Sequence, residues 1–495
     1  MTVVDTAQGK LQGLHEDGLD LFRGIPFAAP PVGPLRFRPP QPATPWAGVR
    51  DATRFGASAP QAPLALDFLD GMDVGPTSED CLYLNIATPA ADSGKRPVLV
   101  WIHGGAFTIG SGSQRMYDMR PLTKRGQIVL VSINYRLGAL GFLGLEDPET
   151  TSNAGLLDQV AALRWVRENI AAFGGDPANV TIFGESAGGM SVGCLLGMPA
   201  AQGLFDKAVP MSGAAHAVNP KTAHARLRAD FCRELGVGDG DLAALRAASV
   251  DDIVAAQQRC ERAPLGTPQR IGFRPNLSDG TFPERPIDAI RNGLSARVPV
   301  LVGATRDEWK LFGMMDPASR KLDAAGLDAA IEARVPGHGA RIAAAYRAAR
   351  PEATPVELFD AIETDRIFRI PAIRLAEAQS AHQPDTYAYL YTWESPILGG
   401  RLGACHGIDV PFVFGLIGTP GAEKFAGGGP DAVRLQDQTT GAWLAFARDG
   451  RPGERSLPPW PRYETARRPT MLLGAASALA SDPFGAERSA WDEIL

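Results

Sequence analysis

The chain has 495 residues, of which 45% are hydrophobic and 21% are charged. This composition is typical of a globular protein with a large core and excludes disordered and collagen-like chains. The formal net charge is −6, from 49 Lys and Arg against 55 Asp and Glu, and no basic run would neutralise phosphates. Nucleic acid is therefore not an expected partner.

The first residues lack the basic and apolar regions of a signal peptide, and no apolar stretch reaches the length of a membrane span. The five cysteines are few for this length and contain no CxxC pair that would bind zinc or exchange disulfides. They are Cys81, Cys194, Cys232, Cys260 and Cys405. Reduced thiols and a cytoplasmic location are expected.

The opening residues contain turn signals at Gly9, Gly13 and Gly18, which predict short antiparallel strands. A proline-rich irregular stretch follows at residues 30–42. No repeat of 20–50 residues is visible, and glycine and proline are scattered as turn residues, so separate domains joined by a long linker are not expected.

Unbroken apolar runs then predict strands that are buried on both faces of a parallel sheet. Between Leu156 and Phe173, apolar residues recur three or four apart, which predicts an amphipathic helix that stops at residues 174–177. Strands that alternate with helices indicate an α/β fold with an open, mostly parallel central sheet flanked by helices. The predicted strands span residues 97–102, 128–133, 180–183, 298–302 and 387–391.

A candidate nucleophile follows the strand predicted at residues 180–183. The sequence there is GESAGG, and a tight turn between strand and helix presents Ser186 above the sheet. Gly184 and Gly188 suit this turn because side chains at these positions would collide. A bare G-x-S-x-G pattern arises by chance in a chain with 55 glycines, but the strand, turn and helix context favours Ser186 as a nucleophile.

The sequence HGGAF at residues 103–107 ends the strand predicted at residues 97–102. Two adjacent glycines let the backbone approach a ligand and turn its amides inward. The N–H groups of Gly105, Ala106 and Ala187 are therefore candidates for an oxyanion hole. His103 directly follows the strand and is interpreted as a brace for this loop, not as a catalytic base.

These motifs resemble the type-B carboxylesterase family, which includes bacterial para-nitrobenzyl esterases, vertebrate carboxylesterases and cholinesterases. The matching blocks extend from near the start of the chain to about Gly415, with weaker matches at the C-terminus and a poor match at residues 313–350, so residues 1–495 are interpreted as one elaborated domain. The resemblance implies an α/β-hydrolase fold with large loop and helical insertions. The blocks are FRGIPFA at 22–28, EDCLYLN at 79–85, HGGAF, NYRLGALGFL at 134–143, residues 153–189 and HGIDVPFVFG at 406–415.

The resemblance also implies hydrolysis of carboxylic esters without a metal or an organic cofactor. Secreted relatives pair the cysteine of EDCLYLN with an earlier cysteine, but no cysteine precedes Cys81 in this chain. That disulfide cannot form, which supports the cytoplasmic expectation.

A serine hydroxyl needs a neighbouring imidazole to take its proton, and in this fold the chain order is serine, acid, histidine. His406 matches the family's histidine motif and follows the strand predicted at residues 387–391. The other downstream histidines have no such motif and are expected at the surface. They are His216, His224, His338 and His382.

The acid is expected at a strand end between serine and histidine. Glu308 follows the strand predicted at residues 298–302 and matches the family's glutamate. Asp307 is the immediate alternative, although its carboxylate should point elsewhere. Asp279 and Asp409 also lie within reach in the sequence, but the SDG sequence around Asp279 indicates a turn first.

Four further residues near these motifs are assigned structural roles. Glu185 is expected to point away from Ser186 into a structural ion pair, and Arg136 and Asp158 are interpreted as scaffold charges. Cys405 is expected to be packed and unreactive.

The implied function is a serine carboxylesterase that hydrolyses a small-molecule ester through a Ser186-His406-Glu308 triad and an acyl-enzyme. One alternative is a hydrolase of a related acyl substrate, namely an amide, carbamate, lactone, thioester or lipid ester. The other is a non-catalytic binding protein, because some relatives keep the fold as adhesion modules.

Overall fold

The computed structural model describes residues 1–63, 71–145, 147–261 and 272–495. Within these residues the backbone forms one large sheet that alternates along the chain with helices. Its strands are β1 (Thr2–Thr6), β2 (Gly9–Glu16), β3 (Leu19–Pro26), β4 (Val49–Asp51), β5 (Tyr83–Thr88), β6 (Arg96–Ile102), β7 (Val129–Ile133), β8 (Gly175–Glu185), β9 (Lys207–Met211), β10 (Val300–Thr305), β11 (Thr386–Tyr391), β12 (Pro469–Leu473) and β13 (Ala478–Ser481).

The helices lie mainly between and after these strands. They are α1 (Met119–Gly126), α2 (Gly138–Phe142), α3 (Ala154–Asn169), α4 (Ala187–Leu196), α5 (Lys221–Leu235), α6 (Leu242–Ala247), α7 (Val250–Cys260), α8 (Pro286–Arg291), α9 (Trp309–Met314), α10 (Ala324–Arg334), α11 (Gly339–Ala349), α12 (Pro355–Thr364), α13 (Ile370–Ser380), α14 (Val410–Phe414), α15 (Pro420–Ala426), α16 (Pro430–Asp449) and α17 (Gly485–Ser489). Short 3₁₀ turns cover Gly33–Leu35, Arg115–Tyr117, Ile170–Phe173, Pro199–Ala201, Ser319–Lys321 and Ile397–Gly400, and a π-helical turn covers Asp365–Arg369.

The sheet is mostly parallel, with antiparallel strands at both edges. Its order is β1-β2-β3-β5-β7-β6-β8-β9-β10-β11-β12-β13, and β4 pairs with β2. The seven central strands, β7-β6-β8-β9-β10-β11-β12, run parallel to one another. At one edge, β1, β2, β3 and β5 form antiparallel pairs, and β5 also pairs antiparallel with β7. At the other edge, β13 pairs antiparallel with β12. This arrangement confirms the predicted parallel centre and antiparallel start.

Alternate side chains of a strand face opposite sides of a sheet, and β6 shows how this builds two cores. Val98, Val100 and Ile102 pack in a core with α3 and α4, whereas Leu99 and Trp101 pack on the other face with α14 and α16. A third, smaller core lies within the helices α9 to α13. The helices thus cover both faces, as expected for buried parallel strands.

All five strand predictions and the amphipathic helix are confirmed, with shifted ends. The helix α3 ends at Asn169 and continues as a 3₁₀ turn to Phe173. The next strand begins at Gly175, five residues before the predicted start, because Gly175 already pairs with Arg96 of β6. The predicted stop at residues 174–177 is therefore mostly strand.

The expectation that His224 lies at the surface is wrong. This side chain is buried, and its Nε2 accepts a hydrogen bond from the Gly144 N–H at 2.7 Å. His338 and His382 are exposed, and His216 is half-buried. Within the described residues, no helix is long and apolar enough to cross a membrane.

The register of the central strands brings the predicted motifs together. Ile102 of β6 pairs with Gly184 of β8, so the residues that follow both strands lie side by side. Thr305 of β10 pairs with Tyr391 of β11 at the same carboxyl edge of the sheet. In open parallel sheets, ligands bind beyond the carboxyl ends of the strands. A ligand-binding site is therefore expected at this edge of the sheet.

Candidate active site

The turn between β8 and α4 holds Ser186 in a backbone conformation that non-glycine residues seldom adopt, with φ 59° and ψ −124°. The Ser186 N–H donates to the Met211 carbonyl at 3.0 Å, and the Ser186 carbonyl accepts from the Met190 N–H at 2.8 Å. These two bonds fix the turn from both sides, and the serine side chain stays partly accessible.

Two glycines make this turn possible, as the sequence predicts. A Cβ on Gly188 would lie 1.9 Å from the Ile102 carbonyl oxygen, and a Cβ on Gly184 would lie 2.6 Å from the Gly188 carbonyl carbon. Real side chains do not tolerate either approach, so both positions require glycine.

The loop after β6 lies directly against this turn. A Cβ on Gly104 would stand 3.0 Å from the Ser186 Cβ, which places the loop beside the serine. Gly105 and Ala106 both have positive φ, 111° and 54°, and Ala106 is exposed. The amides of Gly105, Ala106 and Ala187 have no hydrogen-bond acceptor within the described part of the chain. Three unsatisfied donors close to a serine are what an oxyanion hole requires.

His103 braces this loop, in agreement with its predicted role. Its Nδ1 lies 2.8 Å from the Gly104 carbonyl oxygen, its ring stacks on Tyr135, and the Tyr135 hydroxyl donates to the His103 carbonyl. Burial lowers the pKa of His103 to about 4, so the ring stays neutral near pH 7.

The predicted acid and base meet across 98 residues of sequence. Glu308, between β10 and α9, is fully buried, and its Oε2 lies 2.5 Å from His406 Nδ1. The other oxygen, Oε1, accepts from the Thr305 N–H at 2.7 Å. Both carboxylate oxygens are thus fixed, and the imidazole is oriented by the one that faces it.

The alternative acid, Asp307, points away from His406. Its carboxylate pairs with Arg306 and Lys310 and accepts from the Ala404 N–H at 2.9 Å. These cations hold the pKa of Asp307 below its usual value in spite of its burial.

Glu185 forms an ion pair, as predicted, but with an unexpected partner. Its Oε1 stands 3.1 Å from Nε2 of His406, the ring nitrogen opposite the one that contacts Glu308. The predicted ion pair therefore exists, but it involves the candidate base itself. In the described residues no hydrogen bond joins the Ser186 hydroxyl to His406. Such bonds are often loose without substrate and tighten in the complex.

Two carboxylates contact the His406 imidazole, and a third acts on it electrostatically. Burial by itself favours the neutral ring, but Glu185 and Glu308 outweigh burial and raise the pKa of His406 above its ordinary value, with a smaller contribution from Asp409. Burial raises the pKa of Glu185, and the proximity of His406 opposes this shift. Asp409 is also fully buried, and burial together with the neighbouring carboxylates raises its pKa. The neighbouring carboxylates thus stabilise the imidazolium relative to the neutral ring.

Two aromatic rings also contact His406, and the sequence analysis missed both. The centroids of Phe312 and Phe368 each lie 4.9 Å from the imidazole centroid. Phe312 lies in α9, four residues after Glu308, whereas Phe368 comes from the π-helical turn. Only the proximity of Phe312 to Glu308 in the sequence was a usable signal.

The remaining candidates take the expected structural roles. Asp279 accepts from the Thr281 N–H within its turn, and Arg136 and Asp158 form a buried ion pair at 2.7 Å. Cys405 is a buried free thiol whose pKa burial raises.

Comparisons with known proteins show the family to which the chain belongs. The model of the carboxylesterase family matches residues 1–490. The chain is 40% identical over 490 residues to the para-nitrobenzyl esterase of Bacillus subtilis, covering 98% of this chain and 97% of that protein. It is 36% identical over 488 residues to the phenmedipham hydrolase of Pseudarthrobacter oxydans, covering 96% of each.

A carboxylesterase of Geobacillus stearothermophilus superimposes on this structure with a TM-score of 0.90 at 39% identity, covering 99% of this chain and all of the other. This likeness confirms the α/β-hydrolase fold that the resemblance implied. The chain belongs to the carboxylesterase family and is a carboxylic ester hydrolase.

Proposed function

We propose that this carboxylesterase cleaves its ester with Ser186 as nucleophile, His406 as general base and Glu308 as the carboxylate that orients the imidazole. The observation that carries this proposal is the 2.5 Å contact between Glu308 Oε2 and His406 Nδ1. It leaves Nε2, the nitrogen that would take the serine proton, free of Glu308 and 3.1 Å from Oε1 of Glu185, the residue that precedes Ser186.

Acylation begins when Ser186 Oγ attacks the ester carbonyl and His406 Nε2 takes its proton. The carbonyl oxygen becomes an oxyanion, which accepts hydrogen bonds from the amides of Gly105, Ala106 and Ala187. The imidazolium then gives its proton to the leaving alkoxide, the alcohol departs, and the acyl group remains on the serine.

Deacylation repeats these steps with water as the nucleophile. His406 takes a proton from the water, the same amides hold the second oxyanion, and the acid is released as Oγ recovers its proton. Glu308 holds the imidazole in the required orientation and stabilises the imidazolium formed in each half.

Two properties of the protein as a whole belong to the same proposal. One hydrogen-bonded sheet runs from β1 near the start to β13 near the end, which supports a single domain over residues 1–495. The five cysteines are free thiols, which supports a reducing, cytoplasmic environment. The expected results are one cooperative unfolding transition in calorimetry, and five titratable thiols after denaturation of protein isolated without reductant.

The test is hydrolysis of p-nitrophenyl butyrate by the wild type beside Ser186→Ala, followed by intact-mass analysis after exposure to an organophosphate. We expect turnover and a single adduct in the wild type and neither in the variant. Activity that persists in Ser186→Ala contradicts the mechanism. A folded, inert and unlabelled wild type supports a binding protein instead.

Matched ester and amide substrates with the same acyl group separate the ester proposal from the related acyl substrates. We expect the ester to be turned over far faster, because an alkoxide leaves more readily than an amide nitrogen. Comparable rates on both substrates contradict an ester-specific enzyme.

A further inference from the structure

The helical segment from α12 to α13 changes its hydrogen-bonding pattern in the middle. The Ile370 N–H donates to the Asp365 carbonyl, a π-helical bond that spans one more residue than an α-helical bond. Pro371 follows, and it has no N–H to donate while its ring crowds the carbonyl four residues earlier. Proline thus explains the widened turn, and such turns often occur at functional sites.

This π-helical turn carries Phe368 to the candidate base. The Phe368 side chain is only 3% exposed, and its ring is inclined by 44° to the imidazole of His406. Phe312 contacts the same imidazole at 50°, and the two phenyl rings are nearly parallel, 5.9 Å apart. His406 therefore lies against two aromatic rings in addition to its carboxylate partners.

A buried polar network fixes the turn from behind. Arg369 binds Asp365 through both Nε and Nη2, at 2.5 Å each. The Tyr346 hydroxyl donates to the same carboxylate, and the Trp491 indole N–H donates to that hydroxyl at 2.9 Å. The turn is thus tied to α11 and to the C-terminal residues, which leaves Phe368 little freedom to move.

We propose that Phe368, presented by the π-helical turn, is a positioning residue that holds His406 at Glu308 and selectively stabilises its protonated form. A cation within about 6 Å of an aromatic ring is attracted by the quadrupole of that ring, most strongly where water is excluded. The imidazolium exists during both halves of the reaction, so this attraction acts on the transition states. The inference rests on the proposed role of His406.

Three carboxyl groups act electrostatically on His406, and the effect of Phe368 is measured in addition to theirs. They are Glu185 from the nucleophile turn, Glu308 from the β10 end and Asp409 from the residues after His406. All three raise the pKa of His406, and Phe368 adds to them without a charge of its own. Removing the ring therefore lowers this pKa and leaves the three carboxylates in place.

The experiment compares Phe368→Leu with Phe368→Tyr and with a matched control, Phe359→Leu. Phe359 is 1% exposed in the same helical core, and its ring lies under the guanidinium of Arg334 at 4.7 Å. In Phe368→Leu we expect kcat to fall about five- to tenfold with little change in KM, and the acid limb of kcat/KM to move down by about 0.5 to 1 pH unit. Phe368→Tyr keeps the ring and should restore both values.

Phe359→Leu should lower thermal stability without moving the acid limb of the pH profile of kcat/KM. The inference is overturned if Phe368→Leu keeps the wild-type kcat and the wild-type acid limb of kcat/KM. It is also overturned if Phe359→Leu changes kcat and this acid limb in the same way as Phe368→Leu. If Phe368→Leu does not fold, Phe368→Met takes its place with the same expected readout. Turnover in His406→Ala would contradict the proposed function, whereas an inactive His406→Ala beside an unshifted Phe368→Leu would overturn this inference alone.

Discussion

The nucleophile side of the site and the acid–base side are built in different ways. Ser186 and the candidate oxyanion amides are held by backbone geometry over a few residues. The glycines of these turns pack so tightly that an added Cβ would lie only 1.9 to 2.7 Å from a main-chain carbonyl oxygen. Glu308 and His406 are held by side-chain contacts between segments 98 residues apart.

This difference determines how each side can fail. A change on the nucleophile side forces a backbone rearrangement, because no rotamer relieves a clash with a main-chain oxygen. A change on the acid–base side leaves the backbone in place and alters the orientation or protonation of one imidazole. Backbone changes should therefore affect folding and rate together, and acid–base changes should affect rate and pH dependence alone.

The largest expected effect comes from the acid–base side. Glu308→Gln keeps the side-chain volume and the acceptor for the Thr305 N–H, but it removes the charge that stabilises the imidazolium. We expect kcat/KM for p-nitrophenyl butyrate to fall by about 10⁴-fold with thermal stability nearly unchanged. Asp307→Asn is the control, and it should retain activity close to the wild type. Equal losses in both variants would contradict the assignment of the acid.

The second-largest expected effect comes from the backbone of the loop after β6, which carries Gly105 and Ala106. In Gly105→Ala, the new Cβ would lie 2.1 Å from the Ile109 carbonyl oxygen at a φ of 111°. The loop must move, and we expect kcat to fall by about 10²- to 10³-fold together with a loss of thermal stability. Gly203→Ala is the control because Gly203 also has positive φ but nothing lies within 4 Å of its Cβ. That variant should lose some stability and no activity.

The smallest expected effect is a shift of the pH profile. Glu185→Gln removes a carboxylate that raises the pKa of His406, so the pKa should fall. Because His406 must be neutral to take the serine proton, the acid limb of kcat/KM should move to lower pH by about one unit. An unchanged or upward-shifted limb would show that Glu185 does not control the imidazole in solution.

Sequence reasoning reached the nucleophile side more completely than the acid–base side, for the same structural reason. The turn at Ser186 and the glycines beside it are local, so a strand followed by GESAGG predicts their geometry. Glu308 and His406 needed the resemblance to a family, because no local pattern brings together residues so far apart.

The contacts that sequence reasoning missed are tertiary ones. Glu185 was expected to point away, and Phe368 was not considered, because each reaches His406 only through the packing of separate elements. The same limit explains His224, whose polar neighbours in the sequence indicated a surface position while α5 buries it against Gly144. Pro371 in the sequence signals an irregular helix, but it does not indicate that the irregular turn places Phe368 against His406.

The most direct test of the account is a crystal structure of the wild-type enzyme after reaction with a p-nitrophenyl alkylphosphonate. We expect one phosphorus bonded to Ser186 Oγ, a phosphoryl oxygen about 3 Å from the amides of Gly105, Ala106 and Ala187, and His406 still bound to Glu308. A label on another residue, or a phosphoryl oxygen turned away from those amides, would contradict it.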